Sequence, residues 1–163
     1  MSKIEFNSIG IIYSPFKNLK GMPIQPIGGE GVKGEIHINK DLKNGLKDLN
    51  GFSHLILIYY LHKSKGFSLE VTPFLDNNIY GVFATRSPKR PNSIGLSIVK
   101  LDSIKDNILY ISNMDILDGT PLLDIKPYVP QLNGIKNDSI KIGWFEEKHL
   151  SAKDKLSDAR FIN

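Results

Sequence analysis

The sequence predicts a mainly β domain, a barrel or a sandwich, with one or two short helices. Three observations predict it. Short segments rich in Ile, Val, Leu and aromatic residues recur along the chain, several of them alternating with period two. Clusters of Gly, Pro, Asn and Asp separate them. Strand-like and helix-like segments do not alternate as a parallel α/β sheet requires. The 163 residues suit one domain spanning 1–163, with a polar C-terminal extension from about residue 147. That length buries an apolar core without staples.

The elements follow in order. Residues 4–13 are isoleucine-rich and alternate for part of their length, which predicts a strand. In residues 32–38, Val32, Gly34, Ile36 and Ile38 share one face, and Lys33, Glu35 and His37 the other. Leu42, Leu46 and Leu49 stand at helical spacing, with Asp41 near the start and Gly51 just past the end, so a helix is expected there. Gly45 weakens that helix by about 1 kcal/mol. Residues 54–62 form a nearly continuous apolar run, the pattern of a central strand buried on both faces. "FSLEVTPF" (67–74) alternates again, and "GVFAT" (81–85) is strand-like. Residues 94–101 and 107–112 are two strands around the turn signal "DSIKDN". The polar residues 146–161 suit either a second helix or a frayed tail.

Composition narrows the function classes. Hydrophobic residues are 40% and charged residues 23%, the balance of a soluble globular protein. With no cysteine, disulfides, thiolate zinc sites and cysteine nucleophiles are excluded. His37, His54, His62 and His149 lack metal-ligand spacing, so no metal is expected. The N-terminus carries no apolar signal core. The longest apolar run, "LILIYYL", has 7 residues, against the roughly 20 of a membrane-spanning helix. A cytoplasmic protein without membrane contact is expected. Net charge +4 and a pI near 9.2 are compatible with a nucleic-acid partner and equally with a solvated lysine-rich surface. No Gly-x-Gly-x-x-Gly follows a strand. "GGEGVKG" lacks the Gly-Lys-Ser/Thr ending of a phosphate loop.

Three segments carry unusual chemistry. In "GMPIQPIGG", Pro23 and Pro26 stiffen a loop that presents Gln25. In "TRSPKRPN", Arg86, Lys89 and Arg90 lie among Pro88 and Pro91. An arginine at the end of a strand grips a carboxylate or phosphate in bidentate fashion. In "DILDGTPLLDIKPYVPQL", Asp118-Gly119-Thr120-Pro121 is a turn signal. Asp124, Lys126 and Tyr128 then fall on one side of an extended segment, either a site wall or a plain edge strand. His62 and Lys63 end the apolar run. Each segment taken alone also suits a surface connection or a charged rim.

Together, "GFSHLILIYYLHKSKG", "GVFATRSPKRPNSIGLS" and "DILDGTPLLDIKPYVP" resemble the TsaA-like family, also called TrmO. The likeness runs from about residue 9 to residue 132. It implies a small closed β-barrel that forms a homodimer and uses S-adenosyl-L-methionine. It also implies methylation of N6 of threonylcarbamoyl-modified adenosine beside the tRNA anticodon. Carried over by motif, the cofactor residues are Pro23, Ile24, Gln25, His62, Lys63, Arg86, Leu96, Asp118, Gly119, Thr120 and Pro121. Under this reading Lys89 and Arg90 meet tRNA phosphates. Asp124 and Tyr128 have the chemistry to accept the proton of the target amine.

Departures from the family pattern stand at Ile24, in place of an arginine, at Lys63, in place of a glutamine, and at Ser93, in place of a frequent proline. The additional C-terminal domain of the bacterial members has no room after about residue 132. Two other function classes remain open: a methyltransferase of a small molecule, and a non-enzymatic RNA-binding barrel. Few interleaved surface aromatics speak for the latter.

Overall fold

In the computed structural model, which describes residues 2–133, 140–146 and 148–162, alternation and turn chemistry combine into a closed antiparallel barrel. The strands are β1 (Gly10–Tyr13), β2 (Lys33–Ile38), β3 (His54–Tyr60), β4 (Glu70–Val71), β5 (Tyr80–Gly81), β6 (Ile94–Lys105), β7 (Ile108–Ser112) and β8 (Thr120–Pro127). The barrel order is β1-β2-β7-β6-β3-β8, closed by pairing of β8 with β1. β4 and β5 pair separately as a small ribbon. Among the described residues, the single α-helix is α1 (Pro130–Asn133).

Period-two side chains fill the interior. Leu55 and Leu57 of β3, Val99 of β6, Leu109 and Ile111 of β7, and Ile12, Ile36 and Leu122 are all essentially inaccessible. This is the small barrel filled by its own side chains. The β6–β7 hairpin turns at Asp106, which takes the left-handed backbone that Asp tolerates, φ 56°.

Several elements depart from the sequence expectation. The helix over 41–49 is instead two 3₁₀ stretches, Lys40–Leu46 and Leu49–Gly51. Gly45 and Asn44 are weak helix formers, and only Leu46 and Leu49 pack against the core, while Leu42 stays 45% exposed. "FSLEVTPF" pairs only at Glu70–Val71, since Pro73 has no N–H to donate. "GVFAT" pairs only at Gly81 and then turns as 3₁₀ over Val82–Ala84. The first strand is confined to Gly10–Tyr13. β3 is buried on its inner face alone; Ile56 and Ile58 are half-buried and Tyr60 exposed. The C-terminal segment is neither an α-helix nor a frayed tail. It makes 3₁₀ turns at Gly143–Phe145 and His149–Lys153 and packs back on the barrel. Residue 147, the expected start of the extension, lies outside the described residues.

Register decides where the unusual segments go. Tyr60 pairs with Ile94, Tyr59 with Leu122, and Ile12 with Thr120. The end of β1, the end of β3, the start of β6 and the start of β8 therefore share one end of the barrel. The Gln25 loop follows β1, His62 follows β3, the arginine-proline loop precedes β6, and the Asp118 turn precedes β8.

Candidate functional site

At that end the chain encloses a cavity of about 500 Å³, within the range of small-molecule and cofactor sites. Its rim brings together loops far apart in sequence. The Arg86 Nη1 donates to Gln25 Oε1 at 2.6 Å, which joins the arginine-proline loop to the proline-stiffened loop. Arg86 has no acidic ion-pair partner among the described residues, so its charge is available to a ligand.

His62 sits beside Thr120, with its Nδ1 3.4 Å from the hydroxyl. Thr120 donates its own proton to Leu117 O at 2.7 Å, so its oxygen faces the imidazole as an acceptor. Burial first, and then the Lys63 charge, lower the His62 pKa below the ordinary imidazole value. The shift favours the neutral ring.

The floor carries three residues that the motifs did not single out. Tyr59 and Ser97 point inward from β3 and β6, and Asp115 stands just before the Asp118 turn. Ser97 Oγ donates to Asp115 Oδ1 at 2.7 Å and lies 2.9 Å from Tyr59 Oη. Ser97 has one proton, so Tyr59 must donate to Ser97. The polar chain thus runs Tyr59 to Ser97 to Asp115. Withdrawal from water raises Asp115 to about 6, with the Ser97 hydrogen bond and the Arg86 charge pulling the other way. Burial and then the Asp115 charge push the Tyr59 hydroxyl up, so it stays protonated. Gly95 leaves room for the Tyr59 ring: a Cβ at 95 would lie 2.2 Å from Tyr59 Cε2.

The C-terminal segment forms the far wall, with Trp144, Phe145, Phe161 and Ile162 lining the cavity. Trp144 stacks on Tyr80 at 4.7 Å and donates its Nε1–H to Ala84 O at 2.8 Å. Ser157 accepts and donates backbone hydrogen bonds with Gly21 and Met22, at 2.9 and 2.8 Å. Arg160 Nη1 donates to Pro73 O at 2.6 Å. The segment therefore straps the Gln25 loop to the 73–85 region across the cavity.

Of the sequence-predicted residues, Pro23, Ile24, Gln25, His62, Lys63, Arg86, Leu96 and Thr120 line this cavity. Asp118, Gly119 and Pro121 shape the turn beside it. Asp118 accepts the Ser14 N–H at 2.9 Å and pairs with Lys17 at 2.8 Å. Gly119 takes φ 74°, which only glycine adopts at little cost.

Asp124 and Tyr128 stand away from the cavity. Asp124 pairs across to Ile58 on the outer face and binds Lys126 at 2.7 Å. Tyr128 follows the opposite end of β8, where its N–H reaches His54 O. Arg90 lines the cavity, but its Nη1 donates to Val82 O and Thr85 O at 3.1 and 2.9 Å, and its guanidinium lies over the Phe83 ring at 5.8 Å. It braces the loop. Lys89 is half-buried, donates to Lys65 O at 2.9 Å and borders a neighbouring groove with Lys65 and Arg160.

One polar residue was detectable by phase. On β6 the inward positions are Ser97, Val99 and Leu101, so Ser97 is a hydroxyl in a core position. Asp115 is an acid between the buried Met114 and Ile116. The strap left no such signal, because its aromatics are spaced irregularly.

Fold and site define a small ligand-binding β-barrel, with a stiffened cationic rim and an acidic floor. Comparison with known proteins sharpens this. Residues 11–134 match the tRNA-methyltransferase O N-terminal domain family, and the chain belongs to it. A probable S-adenosyl-L-methionine-binding protein of Pyrococcus abyssi is 46% identical over 158 residues, covering 97% of this chain and 85% of that protein. The tRNA (adenine(37)-N6)-methyltransferase of Escherichia coli is 39% identical over 140 residues, covering 80% of this chain and 60% of that enzyme. The crystal structure of TrmO from Pseudomonas aeruginosa superposes with a TM-score of 0.71 at 32% identity, covering 88% of this chain and 63% of that one.

Proposed function

We propose that this protein is an S-adenosyl-L-methionine-dependent methyltransferase acting on N6 of an adenine in tRNA, threonylcarbamoyl-modified adenosine beside the anticodon. The observation that carries the reading is the convergence of Gln25, His62, Arg86, Leu96 and Thr120 on one cavity, from five separate parts of the chain. The relatives' names point the same way.

The residues present fit the cofactor chemically. Arg86, tied to Gln25, offers a guanidinium for its carboxylate. Leu96, Ile24 and the aromatic strap offer apolar surface for its adenine. The cofactor supplies an activated methyl group; the protein positions the nucleophile against it and excludes water. The strap and the proline-stiffened loops provide that enclosure.

Lys89, together with Lys65 in the adjoining groove, provides a surface for tRNA phosphate. Arg90 contributes indirectly, by fixing the loop that carries Lys89. Asp124 and Tyr128 do not line the cavity of one chain, which argues against their taking the proton there. A homodimer is favoured by the outer face of β3 and β6. Cross-strand pairs Ile56/Ile98, Ile58/Leu96 and Tyr60/Ile94 present side chains there, with Leu96 58% and Tyr60 44% exposed. No described helix is long and apolar enough to cross a membrane, and a tRNA substrate favours a cytoplasmic protein.

The test has two readouts. Calorimetry should detect S-adenosylmethionine binding, and the purified protein should methylate tRNA carrying the threonylcarbamoyl group. Binding without methylation of any tRNA would favour a small-molecule substrate, for which the apolar Ile24 at the rim makes room.

A further inference from the structure

We propose that Asp115 accepts the proton released by the target nitrogen, and that the Tyr59–Ser97 chain holds it in place to do so. This inference rests on the methyltransferase reading above. Three observations carry it. Asp115 lines the same cavity as Arg86, His62 and Thr120. One of its oxygens is held by Ser97 at 2.7 Å, and Ser97 is in turn held by the buried Tyr59 at 2.9 Å. Tyr59 and Ser97 come from neighbouring, hydrogen-bonded strands of the barrel wall, so the carboxylate of Asp115, carried on the connection between β7 and β8, is held by groups on rigid elements.

The chemistry balances. The lone pair on the adenine nitrogen forms the new N–C bond, and the electrons of the S–C bond return to sulfur. The N–H proton leaves the nitrogen for the Asp115 carboxylate. A carboxylate whose pKa is about 6 is a better proton acceptor than one in the usual range, and it is still ionised in roughly nine of ten molecules at pH 7.

Binding the cofactor's sulfonium is the competing role, and it is physically less useful. Sulfonium charge disappears in the transition state, so a carboxylate beside it stabilises the ground state more. Positive charge instead develops on the attacking nitrogen, where the same carboxylate stabilises the transition state. Around Asp115 the charged or titratable groups of the cavity are Arg86, Arg90, Lys63, His62, Asp158 and Tyr59. Of these the His62 pKa is lowered, by burial first and then by the Lys63 charge.

The test compares wild type, Asp115→Asn, Ser97→Ala and His62→Gln. Carboxyl ¹³C NMR of the protein without ligand should show one aspartate titrating near pH 6 that is missing in Asp115→Asn. Calorimetric affinity for S-adenosylhomocysteine should change less than threefold in Asp115→Asn. Single-turnover methylation of tRNA at saturating cofactor should fall about 10²–10⁴-fold, the usual contribution of a positioned base. The wild-type rate should rise with pH through a midpoint near 6. Ser97→Ala, which leaves the carboxylate in place but removes a hydrogen bond that lowers its pKa, should move the midpoint upward. His62→Gln should leave that midpoint where it is.

The inference is overturned if Asp115→Asn retains a third or more of the rate. It is equally overturned if its main effect is lost S-adenosylmethionine affinity with an unchanged rate, or if the midpoint follows His62. If wild type itself methylates no tRNA, the methyltransferase reading fails instead. The NMR titration still reports then whether the carboxylate is tuned.

Discussion

Replacing Asp115 by Asn should stabilise the protein above pH 7 and leave its stability unchanged near pH 3. The native carboxyl titrates at about 6, against 3.8 for the unfolded chain. Between those values the native state binds more protons than the unfolded state, so stability falls as pH rises through the window. Two pK units correspond to about 3 kcal/mol, fully developed above pH 7. Asn preserves the shape and still accepts from Ser97 through its amide oxygen. It does not ionise, so the penalty is absent.

The assay is urea unfolding at pH 4.5 and pH 8, with both proteins free of ligand. The variant should gain up to about 3 kcal/mol at pH 8 and about 1 kcal/mol at pH 4.5. The same gain at both values would mean that packing, not charge, is responsible. A less stable variant at pH 8 would mean that the carboxylate is stabilising, and that desolvation does not dominate its environment. A charge held at a stability cost inside a cavity is the signature of a functional group.

Four more outcomes follow from the geometry. Arg86→Ala should weaken S-adenosylmethionine binding roughly tenfold, about 1.4 kcal/mol, and Lys89→Ala by much less; calorimetry on both checks the order. Gly95→Ala forces a methyl group into the Tyr59 ring and should cost about 1–3 kcal/mol, measured by chemical denaturation. Trp144→Ala removes the stack on Tyr80 and the hydrogen bond to Ala84, so the C-terminal segment should become protease-sensitive and cofactor affinity should drop while the barrel stays folded by circular dichroism. Ile98→Glu places a charge on the outer β3–β6 face away from the cavity, and sedimentation should then give an 18.3 kDa species in place of a dimer.

The sequence disclosed the barrel strands better than it disclosed their ends. Alternation in residues 32–38 and 94–101 became β2 and the first two-thirds of β6, because a buried inner face leaves the phase no freedom. β6 runs on to Lys105, past the apolar pattern, since its hairpin with β7 needs backbone pairing rather than apolar side chains. The leucines at 42, 46 and 49 carried a true amphipathic signal, yet glycine and asparagine reduced it to 3₁₀ turns. Eight proposed cofactor positions meet at the cavity; Pro23, Gln25, His62, Lys63, Arg86 and Thr120 stood out by local chemistry, and Ile24 and Leu96 came only with the family likeness. Asp124 and Tyr128 were drawn by correct chemistry and correct alternation. Alternation fixes a shared side but not which side, and register put Asp124 outside and Tyr128 beyond the far end. The strap was missed because polar, irregular residues 148–162 attach through backbone hydrogen bonds and isolated aromatics, neither of which has a period.

The two strands that build the cavity floor also present the proposed dimer face, and the pleat makes one follow from the other. On β6 the odd positions 95 and 97 turn inward to make room for Tyr59 and to hold Asp115, while Ile94, Leu96 and Ile98 turn outward. On β3 Tyr59 turns inward between the outward Ile58 and Tyr60. Leu96 stands at the boundary, outward on the sheet yet part of the cavity rim. A second copy covering this face would immobilise both strands, and with them the hydrogen bonds from Tyr59 through Ser97 to Asp115. A monomeric Ile98→Glu variant should therefore lose catalysis as well as association. Its cofactor affinity should weaken only through Leu96, because Arg86, Gln25 and the strap are held by contacts that the outer face does not touch.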